Sequence, residues 1–261
     1  MSYFIINTAV ANIYKEPSHA SAVVTQALMG ESCRIIDSSD KWYQIRQWDG
    51  YKGWMYYFCG VESKSKYKPT LVMQDMFGMV LSPEKDKIIR NLVFGCSTQS
   101  EKQQNGYKIK LPDGNNGFSN NNFNENKKTT IRSEFIKTTR RFLGTPYMWG
   151  GKTPYGIDCS GLVQTVFKTF GIELSRDSSK QAEFFVNDKI DEENIQSGDL
   201  LFFGENNKVS HVAISTGGLN FINARGFVQE ESIDKKSPKF NRNLRNLFLH
   251  AVSIKNIINI V

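Results

Sequence analysis

The 261-residue chain has only three histidines and four cysteines, and no cysteine pair has metal-ligand spacing. That scarcity argues against a zinc site, and no metal or other cofactor is expected. No apolar run approaches the ~18 residues a membrane-crossing helix needs, so no membrane span is expected. Residues 1–7 lack a basic segment followed by a long apolar core and do not read as a secretion leader. The location expected from this is cytoplasmic; the alternative is a secreted or periplasmic form whose leader was removed. Free thiols suit a reducing compartment, although four cysteines also allow two disulfides. Neither sign of charge dominates, with 33 Lys and Arg against 26 Asp and Glu and a net charge of +7. The basic residues are scattered, and no stripe interleaves them with aromatics, so nucleic acid is not an expected partner. The remainder, 39% hydrophobic and 23% charged, is ordinary globular composition. At ~100–150 residues per domain, two or three domains are expected.

The first half repeats. Pro17, the run Val23–Gly30, Trp42–Ile45 and the turn Asp49–Trp54 recur in the same order as Pro83, Ile88–Gly95, Tyr107–Ile109 and Asp113–Phe118. Asp49 to Asp113 and Tyr43 to Tyr107 are both 64 positions. A period that long, with short strands and Gly turns, means two small β modules rather than a solenoid. Trp42, Gln44 and Arg46 alternate with Tyr43 and Ile45, as on a half-buried antiparallel strand. Each Asp-Gly is a hairpin signal because Gly accepts positive φ. These modules resemble the bacterial SH3-like barrels that precede cell-wall enzymes. The division this implies is a barrel over 1–62, a second over 63–126 and a further domain over 127–261. Residues 114–130 are Asn-rich and apolar-poor, and read as loop or linker. A helix is expected over about 130–143, with Ile131, Phe135, Ile136 and Phe142 on one side, ended by Gly144-Thr145-Pro146.

The chemistry gathers after that helix. Asp158-Cys159-Ser160-Gly161 opens an amphipathic helix that runs to a Gly171 cap. A thiol at a helix N-terminus meets unpaired amides and the positive end of the dipole, which lower its pKa. The thiolate is the nucleophile, so a catalytic cysteine belongs at such a position. Cys33, Cys59 and Cys96 lie in or beside apolar strand runs and read as small core residues. Of the histidines, His19 lies in a turn and His250 in an apolar terminal strand. His211 lies in Val209–Ile214, 52 positions after Cys159.

Tyr147-Met148-Trp149-Gly150-Gly151 followed by Asp158-Cys159-Ser160-Gly161 resembles the signature of the NlpC-type cysteine peptidases of bacterial cell-wall metabolism. Ser197–Phe203, with its Gly-Asp-Leu, and the His211 strand resemble the family's later landmarks. The resemblance implies an α+β fold, a papain-like catalytic domain preceded by two small SH3-like β-barrels. It implies Cys159 as nucleophile and His211 as base. The group orienting the imidazole, usually a second His 12 positions on, is here Asn223. An Asn oxygen accepts an imidazole N–H equally well.

The substrate implied is the γ-D-glutamyl–diamino acid bond of peptidoglycan stem peptides, L-Ala-γ-D-Glu-diamino acid. In members with two barrels, an Asp matching Asp177 helps hold the free amine of an N-terminal L-alanine. An acid and a Tyr from the first barrel assist, here Glu31 and Tyr56 or Tyr57. Asp158 is a further carboxylate for that amine, and Ser160 and Tyr147 are substrate contacts. Tyr147 is placed to polarise the carbonyl, and the Cys159 amide supplies an oxyanion donor. An endopeptidase acting on intact wall, an inactive wall-binding protein, and an amidase or acyltransferase on the same scaffold remain open at this point.

Overall fold

The computed structural model describes residues 2–124 and 132–256. It is mostly β, and it divides into the units Met1–Asn126 and Lys127–Val261. The first unit holds two seven-stranded sheets. One is built from β1 (Tyr3–Ile6), β2 (Val10–Tyr14), β3 (Val23–Leu28), β4 (Ser32–Ser39), β5 (Trp42–Arg46), β6 (Lys52–Tyr56) and β7 (Gly60–Ser63). The other is built from β8 (Leu71–Met73), β9 (Phe77–Leu81), β10 (Ile88–Val93), β11 (Ser97–Gln103), β12 (Gly106–Lys110), β13 (Asn116–Ser119) and β14 (Phe123–Asn124). Their strand orders are β3-β2-β6-β5-β4-β1-β7 and β10-β9-β13-β12-β11-β8-β14, the same order displaced by seven strands. The shared turns explain it. Gly30 and Gly95 have φ +84° and +87°, and Gly50 and Gly114 repeat those values in the Asp-Gly hairpins. In each hairpin the Asp carboxylate accepts the amide two residues on, from Tyr51 and from Asn115, both at 3.0 Å.

The two sheets are joined more closely than a repeat of independent modules requires. Leu28 and Met29 of the first copy sit in the apolar core of the second. The Ser97 amide donates to Met29 O at 2.9 Å, and Asp113 accepts from Asn7 Nδ2 at 2.8 Å and from Arg90. A Cβ on Gly30 would stand 1.9 Å from the Ser97 carbonyl oxygen, whereas one on Gly50 would meet nothing. Gly30→Ala therefore adds a clash to left-handed strain and is expected to cost at least about 2 kcal/mol; Gly50→Ala bears the strain alone, about 1 kcal/mol. Urea unfolding of the two variants measures the difference, and equal losses would mean that the contact at Gly30 is not made.

Two expectations are corrected here. The Asn-rich stretch carries β13 and β14, and its asparagines work as turn donors: Asn121 Nδ2, the Asn122 amide and Asn122 Nδ2 all donate to the Asp75 carboxylate at 2.8–3.0 Å. Phe123 is buried there in the second core. The rest of the stretch, 125–130, lies outside the described residues, as does Ile131. The alternation along β5 also fails, because Trp42 is 7% exposed. It packs edge-on against Tyr14 and Tyr56, with His19 beside it, so both faces of that strand are covered.

The second unit begins with α1 (Arg132–Arg140), whose Phe135 and Ile136 are buried, and continues through turns to the buried Phe142. Then come β15 (Lys152–Thr153), β16 (Gly156–Ile157), α2 (Cys159–Thr169) and α3 (Ser178–Phe184). The main sheet is made of β17 (Lys189–Ile190), β18 (Leu200–Glu205), β19 (Lys208–Gly217), β20 (Asn220–Arg225), β21 (Phe227–Ser232) and β22 (Phe248–Val252), with α4 (Arg242–Leu247) before the last. Its order is β17-β22-β18-β19-β20-β21, antiparallel throughout. All of α2 is buried except Lys168. Gly161 allows that packing, since a Cβ there would stand 2.2 Å from Gly151 O. Asp199 is buried and ties the start of β18 to α1 and to the chain after β22, accepting from Arg132 Nη1 at 2.7 Å and the Ile254 amide at 3.1 Å. Among the described residues no helix is long and apolar enough to cross a membrane.

Candidate active site

Asp158 caps α2 from an extended backbone (φ −97°, ψ 177°), its Oδ1 accepting the Gly161 amide at 2.7 Å. The cap fixes the next residue, Cys159, as the first of the helix. The amides of Val212 and Ser160 come close enough to the sulfur to favour its ionised form. Val212 follows His211, so the helix start lies against the strand that carries the imidazole. His211 stands at an irregularity: Phe203 pairs with His211 but Gly204 pairs with Val209, leaving Ser210 as a bulge residue. Bulges re-aim a side chain beside a site.

The imidazole is oriented by a relay. His211 Nε2 lies 3.0 Å from Asn223 Oδ1, and Asn223 Nδ2 donates to Glu231 Oε2 at 2.8 Å. Because the amide nitrogen is spent on Glu231, the Asn oxygen faces the ring and Nε2 carries the hydrogen. Nδ1 is then the basic nitrogen, free to take a proton. Glu231 is held in turn by Asn241 Nδ2. Asn223 is fully buried.

The titration of the pair departs from the expectation that a helix start lowers the thiol. Cys159 is 8% exposed, and burial pushes its thiol up to about 11, with the Asp158 carboxylate adding to the effect. The two amide hydrogens and Arg176 only partly offset this. Burial also lowers His211, and the Arg225 charge adds to that against the Asn223 bond. Desolvation thus disfavours charge on both members, which favours a neutral thiol beside a neutral imidazole at rest.

Asp158 is engaged within the protein. Arg176 grips it with both guanidinium nitrogens, Nη1–Oδ1 at 2.9 Å and Nη2–Oδ2 at 2.5 Å, while Oδ2 also accepts the Gly150 amide at 2.8 Å. Both oxygens have partners in the protein, so the carboxylate is fixed at the start of α2. Ser160 shares the cluster, its hydroxyl accepting from Arg176 Nη1 at 2.8 Å. Tyr147 is part-exposed, and its hydroxyl, pushed up to about 12 by burial, also feels Cys159. Asp177 is exposed at the head of α3, and its side chain does not cap that helix. Glu31 and Tyr57 lie in the first unit. Glu31 is buried and accepts from Gln47 Nε2 at 3.3 Å and Trp48 Nε1 at 3.2 Å. Tyr57 stacks on Phe58 with centroids 4.1 Å apart.

Sequence reasoning missed Arg176, Glu231 and Asn241. Arg176 is the residue before Asp177, but its partner is 18 residues earlier. Glu231 becomes a partner only through register: Phe221 pairs with Glu231 and Asn223 with Gln229, which makes Glu231 the diagonal neighbour of Asn223 on one face.

A buried thiol on a capped helix, beside a histidine held by an amide side chain on an antiparallel sheet, defines a cysteine hydrolase. Residues 144–243 match the NlpC/P60 family, and residues 13–56 match the bacterial dipeptidyl-peptidase Sh3 domain. The chain thus carries an NlpC/P60 domain behind such an Sh3 domain, and it is a cysteine-type peptidase. Cys159 and His211 are the one cysteine and the one histidine within 144–243. All four cysteines are free thiols. The gamma-D-glutamyl-L-lysine dipeptidyl-peptidase of Bacillus cereus is 29% identical over 230 residues, covering 79% of this chain and 68% of that protein. Dipeptidyl-peptidase 6 of Lysinibacillus sphaericus is 26% identical, covering 92% and 95%. The crystal structure of an NlpC/P60 family protein from Bacillus cereus shares the fold, with a TM-score of 0.83, 21% identity and coverage of 96% of this chain and 99% of that one.

Proposed function

We propose that this chain hydrolyses the γ-D-glutamyl–diamino acid bond of stem peptides derived from peptidoglycan, and that it requires a free N-terminal L-alanine. The observation that carries the chemistry is the 3.0 Å contact of His211 Nε2 with Asn223 Oδ1, which leaves Nδ1 free, on the strand whose Val212 amide comes close to the Cys159 sulfur. Nδ1 takes the thiol proton as Sγ attacks the γ-carbonyl carbon. The Cys159 amide, with Tyr147 nearby, stabilises the oxyanion. The imidazolium then protonates the leaving α-amine, and a thioester remains. Water, activated by His211, cleaves it and releases L-Ala-D-Glu. The names of the Bacillus and Lysinibacillus relatives support the bond chosen. We read the second sheet as a second SH3-like barrel, with boundaries at 1–62 and 63–126; the shared strand order supports this.

Asp177 supports the amine requirement, as an exposed carboxylate just beyond the Arg176–Ser160 cluster. An ammonium leaving water needs such a partner, and one charge-assisted hydrogen bond is worth ~1.5–3 kcal/mol. N-acetylation of L-Ala-γ-D-Glu-L-Lys is expected to lower kcat/KM by about tenfold to a hundredfold. Asp177→Asn is expected to lower it similarly on the free peptide and to narrow the gap between the two peptides. Equal rates on both peptides with the wild-type protein would point instead to an endopeptidase of intact wall.

A further inference from the structure

Beside the catalytic pair the second unit has a cavity of about 530 Å³. Its lining includes His211, Glu205, Arg225, Asn243, Leu244 and Leu247, and includes none of Cys159, Tyr147, Ser160 and Asp177. Strand geometry explains the grouping. Side chains two apart on a strand share a face. Asn223 faces His211, so Arg225, two further along β20, lies on the imidazole side. Phe203 packs its ring 5.7 Å from the imidazole, so Glu205, two further along β18, shares that side. Glu205 is held at the strand end by a two-residue hairpin, Asn206-Asn207, with φ +50° and +58°. Leu244 belongs to the apolar cluster that includes Phe203 and Phe221 and brings α4 over the same face.

Mechanism decides which half of the substrate this cavity receives. The imidazolium must hand its proton to the departing amine, so the departing residue lies on the imidazole side of the thiol. A cavity that touches the imidazole and none of the groups around the sulfur is on that side. Besides the imidazole, its lining offers one guanidinium, one carboxylate, the amides of Asn243 and Asn246, and two leucines. We infer that it is the leaving-group subsite, binding a diamino acid by its terminal α-carboxylate on Arg225 and its side-chain ammonium on Glu205, with Leu244 and Leu247 under the methylenes. This rests on the function proposed above and names what sets its specificity. Guanidinium and carboxylate form paired, charge-assisted hydrogen bonds. The subsite therefore favours a diamino acid that ends its chain over one whose carboxyl continues as an amide.

The test uses the full-length protein and three peptides: L-Ala-γ-D-Glu-L-Lys, its C-terminal carboxamide, and the analogue with norleucine in place of lysine. Release of L-Ala-D-Glu is measured by chromatography. The wild-type protein is expected to prefer the free acid over the carboxamide, and lysine over norleucine, each by about tenfold or more in kcat/KM. Arg225→Gln is expected to collapse the first ratio towards one while keeping the second, and Glu205→Gln to do the reverse. Those crossed ratios cannot arise from a general loss of fold. Cleavage of all three peptides at one rate by the wild-type protein would overturn the subsite while leaving the proposed function standing. No release from any of them would overturn the proposed function, and the subsite with it.

Discussion

Replacing Cys159 with Ala is expected to lower peptide hydrolysis by at least about 10⁴-fold while leaving the fold intact, because nucleophile and base act as one unit. The Cys159 side chain is small and its loss leaves the cap of α2 untouched, since Asp158 makes that cap. His211→Ala is expected to be nearly as damaging. The sharper measurement is the pH profile of kcat/KM in the wild-type protein. The base works only as neutral imidazole. Burial lowers His211 below its ordinary value of 6.5, so activity is expected to fall only as the pH drops through a midpoint below 6.5. Loss of the thiol proton belongs near 11, so no alkaline fall is expected around pH 8–9. A resting thiolate–imidazolium pair would behave differently, failing on the alkaline side as the imidazolium gives up its proton. An alkaline limb near pH 8–9 would therefore reject the neutral resting pair, and activity retained by Cys159→Ala would reject Cys159 itself.

What was legible in the sequence was local. Cys159 stood out because it opens an amphipathic helix within Asp158-Cys159-Ser160-Gly161, and Asn223 because it holds the position, 12 after His211, where the family resemblance puts the orienting group. The Asp-Gly turns exposed the repeat because each needs the same left-handed glycine. Features that depend on how distant segments meet were not legible. The Asp158–Arg176 pair joins a cap to a loop 18 residues on, so Asp158 reads as an available carboxylate until its partners are seen. Glu231 needs the β20–β21 register. The thiol pKa depends on burial, which a helix-start argument leaves out. The two strands in the Asn-rich stretch were hidden because their pairing partners, β8 and β12, supply the order that the stretch itself lacks.

Arg176 is where the largest loss of stability is expected. Its side chain is 3% exposed and that of Asp158 8%, and the guanidinium spans both carboxylate oxygens while also reaching the Ser160 hydroxyl. Removing one partner of such a pair leaves the other charge buried without compensation, which typically costs about 3–5 kcal/mol. Arg176→Met, similar in length but uncharged, is expected to cost that much in urea unfolding of the second unit. Arg176→Lys keeps the charge but not the fork, and a compact ammonium does not span both oxygens, so it recovers only part. Activity is expected to fall further than stability explains. Arg176 draws the Cys159 thiol down while Asp158 pushes it up, so an uncompensated Asp158 makes proton loss from the sulfur harder still. Asp158→Asn in the Arg176→Met background removes the stranded charge while keeping an oxygen to accept the Gly161 amide. The double variant is therefore expected to be more stable than Arg176→Met alone, the two changes being strongly non-additive because the groups touch. If Arg176→Met costs less than about 1 kcal/mol, or if the two changes simply add, the pair is not what holds the start of α2, and the cap alone must carry that role.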